Sequence, residues 1–185
     1  MILPVYLYGH PILREEAQEV PLDYPSLTEW VSNMFATMYH AEGVGLAAPQ
    51  VGLSLRLVVI DGDPLAETYP ECKGFRRVMI NPVILRSSRE EVVLEEGCLS
   101  LPGIHEKVPR ARQIEVEYTD EHGQGCREVV SDFAARIVQH ECEHLNGIVF
   151  TDNIPAIRRQ LTKGKLNNIA KGNSRCRYKT RCAGR

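Results

Sequence analysis

Residues 139–145 read Gln-His-Glu-Cys-Glu-His-Leu and contain the pattern His-Glu-x-x-His. Residues four apart on an α-helix lie one turn above each other, so His140 and His144 share a face and can bind one metal ion. Glu141 would lie at the edge of that face, where its carboxylate can reach a water beside the metal. Cys142 would point away from it. The pattern therefore predicts a catalytic metal site on a helix.

The sequence around the pattern favours a helix. Ser131 or Asp132 can cap its start, and Phe133 and Ile137 continue the apolar period of a helix into the pattern. Gly147 supplies a stop. We therefore expect the helix to run from about residue 131 to residue 146.

The bulk composition describes an ordinary globular protein. The chain has 185 residues, of which 43% are hydrophobic, and this size predicts one domain with a substantial core. No stretch reaches the roughly 18 apolar residues of a membrane span, and the first residues lack the basic leader of a signal peptide. We therefore expect a cytoplasmic protein, and in that reducing compartment the six cysteines, which form no Cys-x-x-Cys pair, should be free thiols.

The charges are distributed unevenly. Residues 1–152 hold all 24 acidic side chains and 12 basic ones, a net charge of −12. Residues 153–185 hold 10 basic side chains and no acidic one, a net charge of +10. This end of the chain is either a solvated or body-bound basic segment, or a surface for RNA or another polyanion.

The remaining pattern predicts an α+β fold. A long amphipathic helix should run from about Ser26 to before Gly43, and a short basic helix from about Ile154 to about Leu166. Between them lie short, mainly antiparallel strands that surround the helix of the pattern, one of them broken at the Asn-Pro of residues 81–82. We expect residues 1–165 to form a single catalytic domain and residues 166–185 a basic tail or final strand.

Two histidines leave a metal with too few ligands. A catalytic site needs three protein ligands and an open position for water. Downstream of His144 there is no His or Glu, and Asp152 is the only carboxylate. The third ligand should therefore come from upstream, and the best candidate is Cys98, which follows a strand beside glycines.

Three stretches resemble the signature motifs of the peptide deformylase family. They are Gly-Val-Gly-Leu-Ala-Ala-Pro-Gln at residues 43–50, Glu-Gly-Cys-Leu-Ser-Leu-Pro at residues 96–102 and Gln-His-Glu-Cys-Glu-His-Leu at residues 139–145. Their order and spacing match the family, and the resemblance spans residues 1–165. It implies a metal-dependent hydrolase that removes formate from the N-formyl-methionine of newly made chains, and a monomer is expected.

The resemblance implies a role for each matching residue. Cys98, His140 and His144 would hold one divalent metal, typically Fe²⁺, with Zn²⁺, Ni²⁺ or Co²⁺ as alternatives. Glu141 would act as general base and acid.

The resemblance also implies two donors to the developing oxyanion and one further residue of the Gly-rich loop. The donors would be the Leu99 backbone N–H and the Gln50 side-chain amide, and Gly45 would act through its backbone in the same loop.

The substrate pocket follows from the helix face and the Gly-rich stretch. Phe133, Arg136 and Ile137 precede His140 on the same side of the helix. With Val44 and Gly97 they are the candidates for a methionine pocket and peptide cradle, in which the peptide binds as an added strand.

Two charged positions complete the comparison with the family. Glu42 and Arg110 match a family ion pair that braces the Gly-rich loop. Glu143 departs from the family, which usually has Asp there, and its longer side chain could alter the orientation of the ligands. The basic C-terminal segment fits contact with the ribosome.

Two rival interpretations remain open on the sequence. A zinc endopeptidase would share Glu141 and both histidines but would leave Cys98 and Gln50 unexplained. A structural metal-binding or RNA-binding module would carry a fourth protein ligand, and Glu141 would be dispensable.

Overall fold

The computed structural model describes residues 1–21 and 23–183, which form an α+β fold. Its α-helices are α1 (Leu27–His40), α2 (Asp132–His144) and α3 (Ala156–Ala170). Its strands are β1 (Val5–Tyr6), β2 (Gly45–Ala47), β3 (Leu57–Asp61), β4 (Arg76–Ser87), β5 (Glu91–Gly97), β6 (His105–Ala111), β7 (Gln113–Thr119), β8 (Gly125–Ser131) and β9 (Thr180–Arg181). Short 3₁₀ helices lie at Pro11–Arg14, Ala48–Val51, Asp63–Leu65, Pro70–Cys72 and Phe150–Asp152.

Antiparallel pairing dominates, as the sequence predicts. Five strands form one antiparallel sheet in the order β2-β3-β4-β7-β8, and β5 pairs with β6 in a separate hairpin. The exception is the short pair β1 and β9, which is parallel. In the described part of the chain β2 and β5 each pair with a single strand, so each has a free edge.

The five-stranded sheet is buried between two helices. Strand β3 shows how, because its side chains alternate between the two faces. Leu57 and Val59 join the core cluster of α1, and Val58 and Ile60 join that of α2. All four are completely buried, which explains the unbroken apolar run of this strand. Helix α2 also contacts β6, so it lies between the sheet and the hairpin.

The C-terminal part differs from its prediction. The predicted basic helix is present as α3, but it ends at Ala170, about four residues after the predicted end, so the domain boundary predicted at residue 165 falls inside it. The C-terminal end of α3 is stabilised because Leu166 and Ile169 are buried in a third core cluster, which also contains Val5 and Phe150. The predicted final strand is β9, and residues 184–185 of the predicted tail lie outside the described residues. No helix in the described ranges has the length and apolar character to cross a membrane.

The proline of residues 81–82 does not break its strand. Strand β4 continues through it with a shift of register between Ile80 and Val83. Asn81 adopts a positive φ of 53°. Its side-chain amide accepts a hydrogen bond from the Val20 N–H at 2.8 Å and donates one to the Val20 carbonyl at 3.0 Å. A bulge with side-chain support therefore accommodates a residue that cannot donate to the ladder.

Burial in the sheet predicts the stability of two matched variants. We expect Val58→Ala to lower the free energy of unfolding by about 2 kcal/mol, because two buried methyl groups are lost and a cavity remains. Val129→Ala, whose side chain on β8 is 61% exposed, should change it by less than about 0.5 kcal/mol. Urea titration of both variants measures this, and equal losses would contradict the assigned core.

Candidate active site

Helix α2 carries both histidines of the His-Glu-x-x-His pattern. Ser131 occupies the N-cap, but its side chain makes no capping hydrogen bond. Instead the Glu71 carboxylate accepts a hydrogen bond from the Phe133 N–H at 2.9 Å, where the helix dipole favours negative charge. The rings of His140 and His144 lie 5.1 Å apart between centroids. Both side chains are therefore presented on one face of a helix anchored at its start.

Cys98 reaches these histidines because β5 ends just before it and the chain turns. The Leu101 N–H donates to the Cys98 carbonyl at 3.0 Å, which closes the turn. The Cys98 Sγ lies 3.3 Å from His144 Nε2. The ligand atoms of Cys98, His140 and His144 all lie within 4.8 Å of one another. This separation allows one ion to contact all three.

The three residues fit a divalent transition metal by the chemistry of their donors. One thiol and two imidazoles suit a borderline-soft ion, and three protein ligands leave a further position open. His140 Nδ1 lies 3.0 Å from Glu96 Oε2, which leaves Nε2 for the metal. Burial, followed by the charges of His140 and Arg110, holds the pKa of His144 well below its ordinary value. Its ring is therefore in the neutral form that binds metals.

Glu96 joins the hairpin to α2 through a buried set of ionic hydrogen bonds. Its carboxylate accepts two from Arg110, at 2.8 and 2.9 Å, and one from Arg136 at 2.6 Å, besides its contact with His140. Burial acts to raise the pKa of Glu96, but the hydrogen bonds with Arg110 and His140 outweigh it and hold the pKa below its ordinary value. An ionised carboxylate thus fixes the orientation of His140.

The predicted ion pair between Glu42 and Arg110 was wrong. Arg110 is 5% exposed and binds Glu96 in the opposite strand of the hairpin and Glu143 on α2. Glu42 is an exposed residue at a positive φ of 57°, in the turn after α1, and in the described chain it forms no ion pair. The longer side chain of Glu143 also accepts a hydrogen bond from Asn153 at 2.8 Å. It therefore braces Arg110 rather than a metal ligand.

Glu141 is a buried carboxylate with an oxygen that the described residues around it leave without a hydrogen-bond partner. Among the described residues no group donates a hydrogen bond to its Oε2 atom. Burial raises the pKa of Glu141 to about 7. A Cβ atom on Gly45 would overlap this carboxylate, so only glycine leaves room for it there. Such a carboxylate can accept and return a proton near neutral pH.

Gln50 and Leu99 each provide a hydrogen-bond donor close to Cys98. The Gln50 side-chain oxygen accepts a hydrogen bond from the Ala47 N–H at 2.8 Å. This bond turns the amide nitrogen toward Cys98 Sγ, at 3.4 Å, and Ser100 Oγ, at 3.2 Å. In the ranges that the structure describes, the Leu99 N–H makes no hydrogen bond to a backbone carbonyl. Both are hydrogen-bond donors beside the trio of Cys98, His140 and His144.

A cavity of about 650 Å³ connects these groups. Glu141, His140 and Cys98 lie in its wall. The five residues predicted for the substrate pocket also line it: Val44, Gly97, Phe133, Arg136 and Ile137. The Arg136 guanidinium, however, is held by Glu96 and the Val108 carbonyl, so it forms a neutralised part of the wall.

The sequence analysis missed part of this wall. The additional lining residues include His40, Leu65, His105, Cys176, Arg177 and Tyr178. Leu65 lies in the turn-rich loop after β3, and the last three residues lie beyond α3. No local pattern marked them, because they reach the cavity only through long-range folding.

A trio of side chains that could hold a metal ion, with a carboxylate and hydrogen-bond donors around an adjoining cavity, is the arrangement expected of a metal-dependent hydrolase. A sequence model of the polypeptide deformylase family matches residues 2–160. The peptide deformylase of Christiangramia forsetii is 45% identical, covering 98% of this chain and 96% of that protein. The chain therefore belongs to the polypeptide deformylase family, whose members are metal-dependent and remove the formyl group from N-terminal formyl-methionine.

Solved structures agree with this assignment. The crystal structure of peptide deformylase from Thermus thermophilus is similar with a TM-score of 0.82 and 41% identity, covering 93% of this chain and 99% of that one. A Met-Ala-Ser-bound class I type b peptide deformylase from Acinetobacter baumannii gives a TM-score of 0.76 and 38% identity. That comparison covers 83% of this chain and 99% of the other.

The close approach of Gly45 to Glu141 predicts the effect of a single methyl group. We expect Gly45→Ala to lower formate release from a formyl-methionyl peptide by at least about 100-fold, because the carboxylate must move. Bound metal and the melting temperature should change little. Gly164→Ala, where the added Cβ meets nothing within 4 Å, is the matched control. Full activity of Gly45→Ala would contradict the placement of Glu141.

The trio predicts which thiol is needed for metal binding. We expect Cys98→Ala to lose most of its bound metal after dialysis, as measured by elemental analysis, because two histidines alone hold an ion weakly. Cys126→Ala, on β8 and outside the trio, should keep the wild-type content. Equal metal content in both variants would exclude Cys98 as a ligand.

Proposed function

We propose that this chain hydrolyses the formamide of N-formyl-methionyl peptides with Cys98, His140 and His144 as metal ligands and Glu141 as general base and acid. One observation carries the proposal: among the residues that the structure describes, a buried carboxylate with an unpartnered oxygen lines the same cavity as Cys98 and His140, whose ligand atoms lie within 4.8 Å of that of His144. Membership of the polypeptide deformylase family supplies the reaction.

The metal, when bound, would act as a Lewis acid toward the formyl carbonyl and make water a stronger nucleophile. Glu141 would accept the proton of the attacking water, because its pKa of about 7 allows it to be ionised and then protonated. It would afterwards deliver that proton to the nitrogen of the leaving amine. Its burial excludes bulk water from this proton transfer.

The negative charge that develops on the formyl oxygen needs hydrogen-bond donors. We assign this role to the Leu99 N–H and the Gln50 amide nitrogen, with Gly45 keeping the space beside Glu141 open. The Gln50 amide is held by its bond to Ala47, so little reorientation is needed during the reaction. Such preorganisation makes each donor worth about 10²–10³ in rate.

Two free strand edges support the proposed mode of peptide binding. Strands β2 and β5 each pair on one side within the described chain, and both contribute residues to the cavity. An extended peptide could therefore add to them through backbone hydrogen bonds. The methionine side chain would enter between Val44, Phe133 and Ile137, with the stem of Arg136 and the backbone of Gly97 completing the wall.

The identity of the metal and the setting of the enzyme are further parts of the proposal. We propose Fe²⁺ as the native ion, with Zn²⁺, Ni²⁺ and Co²⁺ as substitutes that the same ligands accept. We also propose a monomer that works in the cytoplasm beside the ribosome, where formylated chains emerge. The charge of +10 on residues 153–185 suits contact with ribosomal RNA.

The role of Glu141 predicts a variant that binds metal but does not turn over. We expect Glu141→Gln to retain bound metal and to release formate from N-formyl-Met-Ala-Ser at least about 10³-fold more slowly, because the amide cannot take the proton. Glu117→Gln, at an exposed position of β7, should keep wild-type activity. A metal-loaded Glu141→Gln protein with near-normal formate release would refute the general-base role. Cleavage of an internal peptide bond by the wild type would favour an endopeptidase.

A further inference from the structure

The C-terminal segment, residues 171–183, returns to the active-site cavity. It lies beyond the residues 2–160 that the family model matches. Strand β9 in this segment pairs in parallel with β1, which returns the chain to the body of the protein after α3. As a result Cys176, Arg177 and Tyr178 line the cavity whose wall includes Cys98 and His140.

Tyr178 makes a specific contact with the residue after Cys98. Its hydroxyl donates a hydrogen bond to the Leu99 carbonyl at 2.7 Å. Its half-buried ring packs with Cys98 and Leu99 on the third core cluster, which includes Leu101 and Phe150. The packing holds the ring in place, so the hydroxyl is directed at one backbone oxygen.

This contact fixes one of the two peptide groups that flank the Leu99 Cα atom. The preceding peptide group is held at its Cys98 carbonyl by the Leu101 N–H, at 3.0 Å. The following one is held at the Leu99 carbonyl by Tyr178. Because both groups are anchored, the backbone angles of Leu99 are restricted. The direction of its N–H bond is restricted with them.

Other contacts hold the next residue but leave the Leu99 carbonyl to Tyr178. The Ser100 carbonyl accepts from the Tyr8 N–H at 2.8 Å, and the Ser100 hydroxyl accepts from the Gln50 amide at 3.2 Å. Tyr178 is therefore the side chain that anchors the Leu99 carbonyl itself. Without its hydroxyl, the peptide group after Leu99 could rotate and tilt the N–H before it.

We propose that Tyr178 is a positioning residue for the reaction: it directs the Leu99 N–H toward the oxygen that becomes negatively charged. The proposal rests on the role given to the Leu99 N–H in the proposed function. Tyr178 itself does not touch the substrate carbonyl, since its hydroxyl is engaged with Leu99. The C-terminal segment thus contributes to transition-state binding.

Tyr178→Phe tests this proposal because it removes the hydroxyl and keeps the ring. We expect kcat to fall about tenfold and KM to change by less than about twofold. The fall in kcat should be smaller than the roughly 10²–10³ that follows complete loss of an oxyanion donor. Metal content and melting temperature should match the wild type. Tyr6→Phe is the control, because the Tyr6 hydroxyl accepts a hydrogen bond from Arg181 of the same segment at 3.1 Å and has no part in holding Leu99.

Inhibitor binding separates positioning from a structural role. We expect Tyr178→Phe to bind a peptide with a tetrahedral phosphonate in place of the formyl group about tenfold more weakly, and Met-Ala-Ser equally well. Unchanged kcat and phosphonate binding would overturn the proposal, as would equal weakening of both ligands or an equal effect of Tyr6→Phe. Failure of the metal-loaded wild type to release formate would instead overturn the proposed function.

Discussion

A single buried carboxylate connects the parts of this active site. Glu96 lies near the end of β5, the first strand of the β5–β6 hairpin, and accepts hydrogen bonds from Arg110 on the second strand and from Arg136 on α2. It also orients His140. The carboxylate is almost fully buried, so these ionic bonds must replace the water that it lost. The hairpin that carries Cys98 and the helix that carries both histidines are therefore held in one relative position.

The pKa values of two buried carboxylates in this site, Glu96 and Glu141, are shifted in opposite directions. Glu96 is surrounded by cations, which keep it ionised, and its role is to hold groups in place. Glu141 is deeply buried with an oxygen that no described residue contacts through a hydrogen bond, and its pKa rises to about 7. This difference in environment separates a structural carboxylate from one suited to proton transfer. A buried oxygen without a hydrogen-bond partner lowers the stability of the fold. Carboxylates with such surroundings and a shifted pKa are typical of active sites.

The sequence predicted what depends on local pattern and missed what depends on distant contacts. Helical spacing predicted that His140 and His144 share a face, and the end of a strand beside glycines made Cys98 the candidate third ligand; the ligand atoms of the three residues lie within 4.8 Å of one another. The predicted partner of Arg110 was wrong because the pairing of β5 with β6, which no local pattern shows, places Arg110 and Glu96 on the same face of the hairpin, where their long side chains meet. The length of α3 was underestimated because Leu166 and Ile169 are stabilised by residues at the other end of the chain. Tyr178 was missed for the same reason.

The most direct test of this account is a metal titration of the stripped protein, with formate release from N-formyl-Met-Ala-Ser measured at each step. The account predicts that activity rises in proportion to bound metal and reaches its maximum at one ion per chain, since one trio of ligands is available to it in the described residues. Formate release from metal-free protein would contradict the account. So would an inactive protein that holds one ion at the Cys98, His140 and His144 site.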